Sequence, residues 1–314
     1  MSQAESILKV VSVNVSLQKG TVKQAVEEIR LFEKGVEGDA HSGSWHRMVS
    51  LLGTESFEKF EAEAGRRLVY GEFAENITTQ GMKLYEMAPF DELHIGDIIL
   101  EITQIGKKCH GTGCAIYNEV GNCVMPKEGI FARVIRGGIV KAGDGMMYKP
   151  KVFKVLLITL SDRASAGEYE DRSGPEIRQH LEAFFSINRW QVSFDCRLIA
   201  DDPKLLDSLL LEAEENGYDM VFTTGGTGIG PRDFTPEVVK KRLSMEIPGI
   251  MEAIRMKYGA EKPNALLSRG VAGLMGSTFI FVLPGSVRAV KEYMSEITKT
   301  LRHMLFMRAG IDTH

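Results

Sequence analysis

A glycine-rich segment in the second half of the chain constrains the fold more than any other feature of the sequence. Residues 221–237 read VFTTGGTGIGPRDFTPE, with four glycines among the six positions from Gly225 to Gly230. The apolar residues before the glycines predict a buried strand, and Thr235 followed by Pro236 predicts a helix that Thr235 caps. Glycine allows the backbone to approach atoms that a Cβ would exclude. A strand, a glycine loop and a helix start in this order are typical of a ligand crevice beyond the carboxyl ends of parallel strands.

The glycine loop matches neither of two common phosphate-binding patterns. It contains no Gly-Lys-Ser/Thr and is therefore not a Walker loop, and its GTGIGP does not have the G-x-G-x-x-G spacing of dinucleotide-binding folds. Successive backbone amides without Cβ atoms in the way can still close on phosphate oxygens. A tight strand-to-helix turn without a ligand is the alternative interpretation.

Candidate strands and helices alternate throughout the second half. Four segments have the length and pattern of strands: VFKVLLITL (152–160), WQVSFDCRLI (190–199), YDMVFTT (218–224) and TFIFVL (278–283). A helix is predicted from Pro175, with Ser173 and Glu176 forming a capping box. Further helices are predicted after Asp202 and after Ser286. This alternation predicts a doubly wound α/β domain whose mostly parallel sheet is covered on both faces.

The first half lacks this alternation. Its strand candidates are short and separated by glycine or proline: LKVVSVNVS, ENITT, DIILEITQIG and IFARVIRGG. With one helix predicted near residues 54–65, the pattern indicates a mainly β domain, either a barrel or a sandwich. The polar segment KAGDGMMYKPK separates the halves, so we predict domains at residues 1–149 and 150–314, each able to fold alone.

Composition excludes several classes of protein. The formal net charge is −4 and no block of like charges is present, which argues against a nucleic-acid partner. The longest apolar runs are too short to span a bilayer and no targeting segment is recognisable, so we expect a cytoplasmic protein without membrane contact. Three of the four cysteines lie between residues 109 and 123, which argues against a disulfide framework in a chain of this length.

Two aspartates at predicted strand ends indicate a metal-dependent reaction on a phosphate. A carboxylate beside a phosphate-binding loop, as Asp233 is, is unfavourable unless a cation lies between them, and Mg²⁺ is the natural choice. Asp201 follows a second strand at the same predicted edge. Asp202 precedes Pro203 and is better explained as a helix cap, so Asp201 is the better ligand candidate. Together Asp201 and Asp233 could hold a Mg²⁺–nucleotide and position a group for transfer.

Four motifs of the second half occur in an order and spacing found in a known family. They are ITLSDRASAGEYEDRSG, TTGGTGIGPRDFTPE, EIPGI and LLSRGVAGLMGSTFIFVLPGS. They resemble the molybdopterin adenylyltransferase (MogA) family and the related gephyrin G domain. The resemblance implies a doubly wound domain, often a trimer, that transfers AMP from Mg-ATP to the terminal phosphate of molybdopterin and releases pyrophosphate. Ala200 departs from the family, in which proline often precedes the aspartate.

The same resemblance implies roles for particular residues, with Mg²⁺ as cofactor and ATP and molybdopterin as substrates. Asp201 and Asp233 take the acidic catalytic and metal-binding positions. The positions of the nucleotide-binding loop and of other ligand contacts fall on Ser161, Asp162, Thr224, Gly225, Gly226, Thr227, Gly228, Gly285 and Ser286.

Motifs of the first half resemble a second family. They are GVEGDAHSGSWHRMVSLL, GEFAENITTQGMKLYEM, LHIGDIILEITQIGKKCHGTGC and GIFARVIRGGIVKAGD, within about residues 8–148. They resemble the MOSC domain, the molybdenum cofactor sulfurase C-terminal module. The resemblance implies a β-rich barrel that binds molybdopterin or handles sulfur through a cysteine. Cys109 and Cys114 both lie where the family places its thiol, and the spacing to the AIY that follows favours Cys114.

Basic residues near this cysteine would favour its thiolate, the form suited to metal or persulfide chemistry. They are Lys107, Lys108, Arg133 and Arg136. Simple buried thiols are one alternative. A structural zinc site is the other, with the ligands Cys109, His110, Cys114 and Cys123. Asp39 and His41 either line a pocket or close a polar turn.

We therefore predict a two-domain fusion that serves molybdenum cofactor biosynthesis. The second domain would adenylylate molybdopterin, and the first would bind the pterin or the finished cofactor for sulfur transfer or delivery. The alternatives are a non-catalytic cofactor carrier or scaffold, and a MOSC-type reductase of N-oxidised bases. Expected partners are further copies of the chain, in a trimer through the second domain. Molybdopterin synthase, a molybdenum insertase and a sulfur donor are further candidates.

Overall fold

The structure separates into two compact units. A computed structural model of the chain describes residues 7–108 and 123–312. The first unit comprises Met1–Lys151 with Phe306–His314, and the second comprises Val152–Leu305. Among the described residues, no helix combines the length and the apolar character that crossing a membrane requires.

A closed ring of strands forms the first unit. Its strands are β1 (Ile7–Val15), β2 (Gln24–Val26), β3 (Glu28–Phe32), β4 (Gly35–Val36), β5 (Val49–Gly53), β6 (Ile77–Gln80), β7 (Glu92–Ile95), β8 (Ile98–Ile105), β9 (Ile130–Arg136), β10 (Gly138–Lys141) and β11 (Gly145–Lys149). The main sheet has the order β11-β7-β8-β9-β5-β6-β1-β2, and β11 also pairs with β1, so that seven strands close a barrel and β2 lies outside the ring. A smaller sheet has the order β10-β3-β4. The mainly β prediction is confirmed, and the barrel is formed instead of the sandwich.

Apolar side chains on the inner face of the strands fill the barrel. In β1, Leu8 and Val10 are completely buried whereas Ile7 is exposed, as the alternation of side chains along a strand requires. The register of β1 shifts between Val10 and Ser12, and Val13, beyond the shift, is also completely buried. The helix predicted near residues 54–65 is α1 (Thr54–Ala64), and a single turn, α2 (Met125–Glu128), precedes β9.

A six-stranded sheet forms the centre of the second unit. Its strands are β12 (Val152–Leu160), β13 (Gln191–Ile199), β14 (Met220–Thr224), β15 (Met245–Glu246), β16 (Ala272–Met275) and β17 (Thr278–Leu283). The order is β13-β12-β14-β17-β16-β15. The first four strands pair in parallel, and β16 pairs antiparallel with both β17 and β15. The prediction of a mostly parallel sheet is confirmed, with an antiparallel edge added.

Helices cover both faces of this sheet. They are α3 (Asp162–Ser165), α4 (Ser173–Ile187), α5 (Pro203–Glu215), α6 (Thr235–Lys240), α7 (Pro248–Gly259) and α8 (Val287–Arg308). Leu156 and Ile158 of β12 share a core cluster with Leu206 of α5. Phe153, an odd-numbered residue of β12, instead has its ring 5.3 Å from that of Phe185 in α4. Because successive side chains of a strand point to opposite faces, α4 and α5 lie on opposite sides.

The predicted cap of α5 is confirmed. Asp202 Oδ1 accepts the backbone N–H of Lys204 at 2.8 Å and that of Leu205 at 3.3 Å. These bonds satisfy two of the amides that the first turn of a helix leaves without partners. The side chain of Asp202 therefore stabilises the start of α5.

Two other predicted caps are wrong. The hydroxyl of Ser173 does not cap α4 but donates to the carbonyl of Gly285 at 2.7 Å. The carboxylate of Asp171 takes its place and accepts the N–H groups of Ser173 and Gly174 at 2.8 and 3.2 Å. No side chain caps α6, and the hydroxyl of Thr235 is buried without a hydrogen-bond partner among the described residues. The positions of both hydroxyls are set by contacts with residues distant in the sequence. A capping pattern considers only neighbours in the sequence and therefore does not predict them.

Candidate active site

The main cleft of the second unit lies beyond the carboxyl ends of β12, β13, β14 and β17. Its volume is about 820 Å³. Most of the predicted site residues line this cleft, and they are Ser161, Asp162, Asp201, Thr224, Gly225, Gly226, Asp233, Gly285 and Ser286. Thr227 and Gly228 belong to the same loop but point their carbonyls away from the cleft, toward Arg269. The structure thus brings together residues from four separate turns.

The turns after β12 and β13 are tied together by two aspartates. The backbone N–H of Asp201 donates to Asp162 Oδ1 at 2.9 Å, and the N–H of Asp162 donates to Asp201 Oδ2 at 3.4 Å. Asp162 also forms an ion pair with Arg232, with 2.8 Å between Nη1 and Oδ2. These contacts hold Asp201 in place although Ala200, and not proline, precedes it.

Negative charge accumulates at this end of the cleft. Burial raises the pKa of the Asp201 carboxyl, and the charges of Asp162 and Asp233 raise it further. The backbone N–H of Asp162 and the charge of Arg232 act in the opposite direction without cancelling the rise. A cation bound near these carboxylates would relieve their mutual repulsion.

The first two glycines of the loop are required by the protein's own packing. Gly225 has φ +107°, and a Cβ there would lie 2.3 Å from the carbonyl oxygen of Leu160. Gly226 has φ +62°, and its Cβ would lie 2.4 Å from Thr235 Oγ1. The loop therefore presses against the end of β12 and the start of α6, in a conformation that L-residues rarely adopt.

The next two glycines make room for the carboxylate of Asp233. A Cβ at Gly228 would lie 2.7 Å from Asp233 Oδ2, and one at Gly230 would lie 2.9 Å from the same atom. The N–H of Gly230 donates to this oxygen at 2.8 Å, and the N–H of Asp233 donates to the carbonyl of Gly230 at 3.0 Å. The carboxylate is thus folded back into the loop that carries it, at the wall of the cleft.

Several residues that line the cleft were not predicted from the sequence, among them Tyr169, Asp171 and Arg172. The hydroxyl of Tyr169 lies 2.8 Å from Ser161 Oγ, and the guanidinium of Arg163 lies 5.2 Å from the centre of the tyrosine ring. Asp171 accepts a hydrogen bond from Thr159 Oγ1 at 2.7 Å and caps α4. The position of an acid two residues before a helix start was the available signal for Asp171.

Arginines supply the positive charge of the cleft. Arg163, Arg172 and Arg232 all line it. Guanidinium groups present several donors in one plane and are suited to phosphate oxygens. The cleft therefore carries both acids that can hold a cation and donors that can hold an anion.

The acidic residues fit a magnesium ion that arrives with its ligand. Within residues 7–108 and 123–312, no group of three or more His, Cys, Asp or Glu side chains could hold a metal ion. Asp201 and Asp233 nevertheless place two carboxylates in one cleft. Mg²⁺ usually keeps several waters and binds through one or two carboxylates together with substrate phosphates. The donor set therefore suits Mg²⁺ shared with a nucleotide and does not form a closed metal cage.

The predicted cysteine chemistry of the first unit falls outside the described residues. Cys109, His110 and Cys114 all lie outside the described residues, and they are three of the four ligands of the alternative zinc site. Cys123 lies within the described residues and is half-buried. Of the basic residues expected near the thiol, Arg133 forms an ion pair with an acid of β8, Glu101, in which 2.7 Å separates Nη2 and Oε1.

Asp39 lies in a buried ion pair. Its carboxylate contacts Lys23 Nζ, and both side chains are completely buried. It also accepts the N–H groups of Ser16 at 3.1 Å and of His41 at 2.9 Å. Burial acts to raise the pKa of Asp39, but hydrogen bonds from His41 and Lys23 hold that pKa well below its usual range. These contacts close a polar turn, which is one of the two interpretations offered for Asp39 and His41.

Comparison with known proteins relates each unit to a family. Residues 156–303 match the model of a probable molybdopterin binding domain, and residues 38–147 match the MOSC domain. A molybdopterin adenylyltransferase of Helicobacter pylori is 37% identical over 49% of this chain and 86% of its own. One of Pyrococcus furiosus is 37% identical over 50% of this chain and 91% of its own.

Longer relatives and solved structures match the same region. The molybdenum cofactor biosynthesis bifunctional protein of Synechococcus elongatus is 35% identical over 50% of this chain, which spans about half, 47%, of that relative's length. The crystal structure of the tungsten cofactor synthesizing protein MoaB from Pyrococcus furiosus is 35% identical, with a TM-score of 0.45, and covers 51% of this chain and 98% of its own.

The fold defines the second unit as an α/β domain with a cleft at the carboxyl edge of its sheet. Through this unit the chain belongs to the molybdopterin adenylyltransferase family, and its first unit contains a MOSC domain. Both family resemblances predicted from the sequence are confirmed.

Proposed function

We propose that the second unit adenylylates molybdopterin, with Mg-ATP as the donor of AMP. The observation that carries the proposal is the cleft in which the glycine loop, Asp201 and Asp233 meet at the carboxyl edge of the sheet. A phosphate oxygen of molybdopterin would attack the α-phosphorus of ATP while the bond from that phosphorus to the bridging oxygen breaks. Pyrophosphate would leave with the electron pair, and AMP would remain joined to the pterin phosphate.

Backbone groups and arginines are suited to the anionic substrates. Gly285 and Ser286 precede α8, a helix of 22 residues whose first amides favour an anion. Gly225 and Gly226 bring backbone without side chains to the floor of the cleft. Arg232, 78% exposed, is available to a phosphate although it also pairs with Asp162.

The two aspartates are the residues that would hold Mg²⁺. When bound with the nucleotide, the ion would neutralise charge on the phosphates and on the departing pyrophosphate. The backbone N–H of Asp162 donates to the carboxylate of Asp201 at 3.4 Å, and the N–H of Gly230 donates to the carboxylate of Asp233 at 2.8 Å. Both carboxylates are thereby oriented before any substrate binds, which is the arrangement that electrostatic catalysis requires.

Pyrophosphate release from the full chain, supplied with Mg-ATP and metal-free molybdopterin, tests this proposal. Release that requires molybdopterin supports adenylylation. Binding of both substrates without release would contradict it and would favour the carrier or scaffold alternative.

We also propose that the first unit binds the pterin or the finished cofactor and that Cys114 handles sulfur there. The support is the match of residues 38–147 to the MOSC domain and the place of Cys114 in the motif. Cys114→Ser should abolish cofactor or sulfur transfer and leave AMP transfer intact. Loss with Cys109→Ser alone would move the role to Cys109, and stoichiometric zinc would favour the structural site.

We propose further that the halves, residues 1–149 and 150–314, act as independent domains and that the second associates as a trimer. Residues 306–314 belong to the first unit, where the ring of Phe306 lies 5.0 Å from that of Phe90. A fragment of residues 150–314 lacks Phe90, so Phe306→Ser is included to remove the apolar ring that would otherwise lose this contact. The fragment should keep the adenylylation activity. A folded but inactive fragment would contradict independence, and light scattering reports whether it is a trimer.

A further inference from the structure

One arginine, Arg269, makes three contacts to the loop that carries Asp233 and a fourth to the helix that follows, α6. Its backbone N–H donates to the carbonyl of Thr227 at 3.0 Å. Its side chain donates from Nε to the carbonyl of Gly228 at 2.7 Å and from Nη2 to the carbonyl of Asp233 at 2.6 Å. The remaining Nη1 contacts the carboxylate of Glu237 in α6. Every nitrogen of Arg269 is thus directed at residues 227–237.

The side chain joins the two sides of this loop. Gly228 and Asp233 lie on the outgoing and returning parts, and the guanidinium binds both carbonyls at once. Inside the loop, Gly230 and Asp233 exchange two further hydrogen bonds, one of them to the carboxylate. Because guanidinium donors have fixed directions in one plane, both carbonyls are held in a single arrangement. The arrangement of the carbonyls in turn sets where the carboxylate of Asp233 lies.

Arg269 acts on the loop from behind the main cleft. It lines a separate, smaller cleft of about 410 Å³ together with Glu237 and residues of α7 and β16, and it is not among the residues that line the main cleft. It therefore has no direct contact with a ligand of the main cleft.

We propose that Arg269 is a positioning residue that fixes the carboxylate of Asp233 for metal binding in adenylyl transfer. This inference rests on the proposed function. Glu237 completes the arrangement by orienting the third side-chain nitrogen of Arg269. We call the two hydrogen bonds from the Arg269 side chain to the carbonyls of Gly228 and Asp233 the clamp. Loss of the clamp should weaken Mg²⁺ binding more than it lowers stability, because the side chain of Arg269 is 34% exposed and water can replace its hydrogen bonds to the loop.

Arg269→Lys tests the clamp, since lysine keeps the charge but offers a single point donor in place of the fork. In the full chain, pyrophosphate release would be measured over a Mg²⁺ titration. We expect the apparent Mg²⁺ constant to rise by on the order of tenfold or more, with a melting temperature close to that of the unchanged protein.

Arg242→Lys is the matched control. Arg242 also makes two side-chain bonds, from Nε and Nη2 to Asp207 at 2.5 and 2.6 Å, but it does not contact the loop. This variant should lose comparable stability and keep the normal dependence on Mg²⁺. An equal rise of the Mg²⁺ constant in both variants, or no rise with Arg269→Lys, would overturn the proposal.

Hydrogen exchange separates this inference from the proposed function. Without nucleotide present, the backbone amides of residues 227–237 should exchange faster in Arg269→Lys than in the unchanged protein. Their exchange rates should be unchanged in Arg242→Lys. Unchanged exchange in Arg269→Lys would overturn the clamp even if the protein is an active transferase. If the unchanged protein releases no pyrophosphate, the proposed function fails while the exchange result still decides whether Arg269 orders the loop.

Discussion

Asp162 and Asp201 exchange hydrogen bonds between their backbones and carboxylates, at 2.9 and 3.4 Å, across the ends of two neighbouring strands. This reciprocal pair makes the turn after β12 and the turn after β13 one rigid edge of the cleft. The next residue, Asp202, is directed the other way and caps α5. The two adjacent aspartates therefore have separate roles: Asp201 lines the cleft and Asp202 caps a helix.

Substitution of these neighbours should separate the two tasks. Asp201→Asn should lower turnover by on the order of a hundredfold with little change in stability, because it removes charge from the cleft and keeps the shape. Asp202→Ala should cost about 1 kcal/mol of unfolding free energy through the lost cap and leave turnover normal. Pyrophosphate release and urea denaturation measure the two effects. A turnover loss that is equal in both variants would show that the assignment is wrong.

The first glycine of the loop should be needed for folding itself. Gly225→Ala combines a positive φ with a Cβ 2.3 Å from a backbone oxygen, and we expect a loss of roughly 2–4 kcal/mol. Gly167→Ala is the control, because Gly167 has φ +78° but no atom within 4 Å of its Cβ position. It should cost only about 1 kcal/mol. Similar melting temperatures for the two variants would contradict the packing explanation.

Gly230→Ala should affect the carboxylate and not the fold. Gly230 does not have a positive φ, and its Cβ would lie 2.9 Å from a side-chain oxygen, Asp233 Oδ2, which can move aside. We expect a near-normal melting temperature and a turnover lower by on the order of tenfold, with a raised requirement for Mg²⁺. A fully active variant would show that the position of the carboxylate does not matter.

The buried acid Glu75 should make the stability of the first unit depend on pH. Burial raises its pKa to about 7, against the hydrogen bonds it accepts from Gly71 and Thr78. The folded-state pKa lies above the unfolded value, so the contribution is complete below pH 4.5 and is lost as pH rises through about 7. We expect a fall on the order of 3 kcal/mol across that window.

Glu75→Gln should remove this fall and leave the barrel more stable than the unchanged protein at pH 8. The fluorescence of Trp45 reports on the first unit when the other tryptophan is replaced, as in a Trp190→Phe background. Urea unfolding at pH 5 and pH 8 then gives the change of the unfolding free energy with pH. Equal changes with and without Glu75→Gln would show that Glu75 is already ionised in the folded barrel.

Long apolar segments were predictable because burial and strand length appear directly in the sequence. The strands Val152–Leu160 and Thr278–Leu283 have the predicted bounds. The antiparallel edge was not predictable, since Met245–Glu246 and Ala272–Met275 are too short to show a period.

The site was predictable where a residue's neighbours in sequence define its task, and not where a distant contact does. Strand-end aspartates and the glycine loop could be recognised, but the glycines turned out to accommodate Leu160, Thr235 and Asp233 of the protein itself. Arg269 lies 36 residues beyond Asp233 in the chain, and its hydrogen bonds to the loop exist only after folding.

The role of Asp233 is the central claim, and a Mg²⁺ titration of pyrophosphate release by Asp233→Asn tests it most directly. The asparagine can still accept the hydrogen bond from Gly230, so the melting temperature should stay close to normal. At saturating ATP we predict a turnover lower by on the order of a hundredfold, equivalent to ~3 kcal/mol, with a weakened response to Mg²⁺. Near-normal turnover with an unchanged Mg²⁺ dependence would contradict the account.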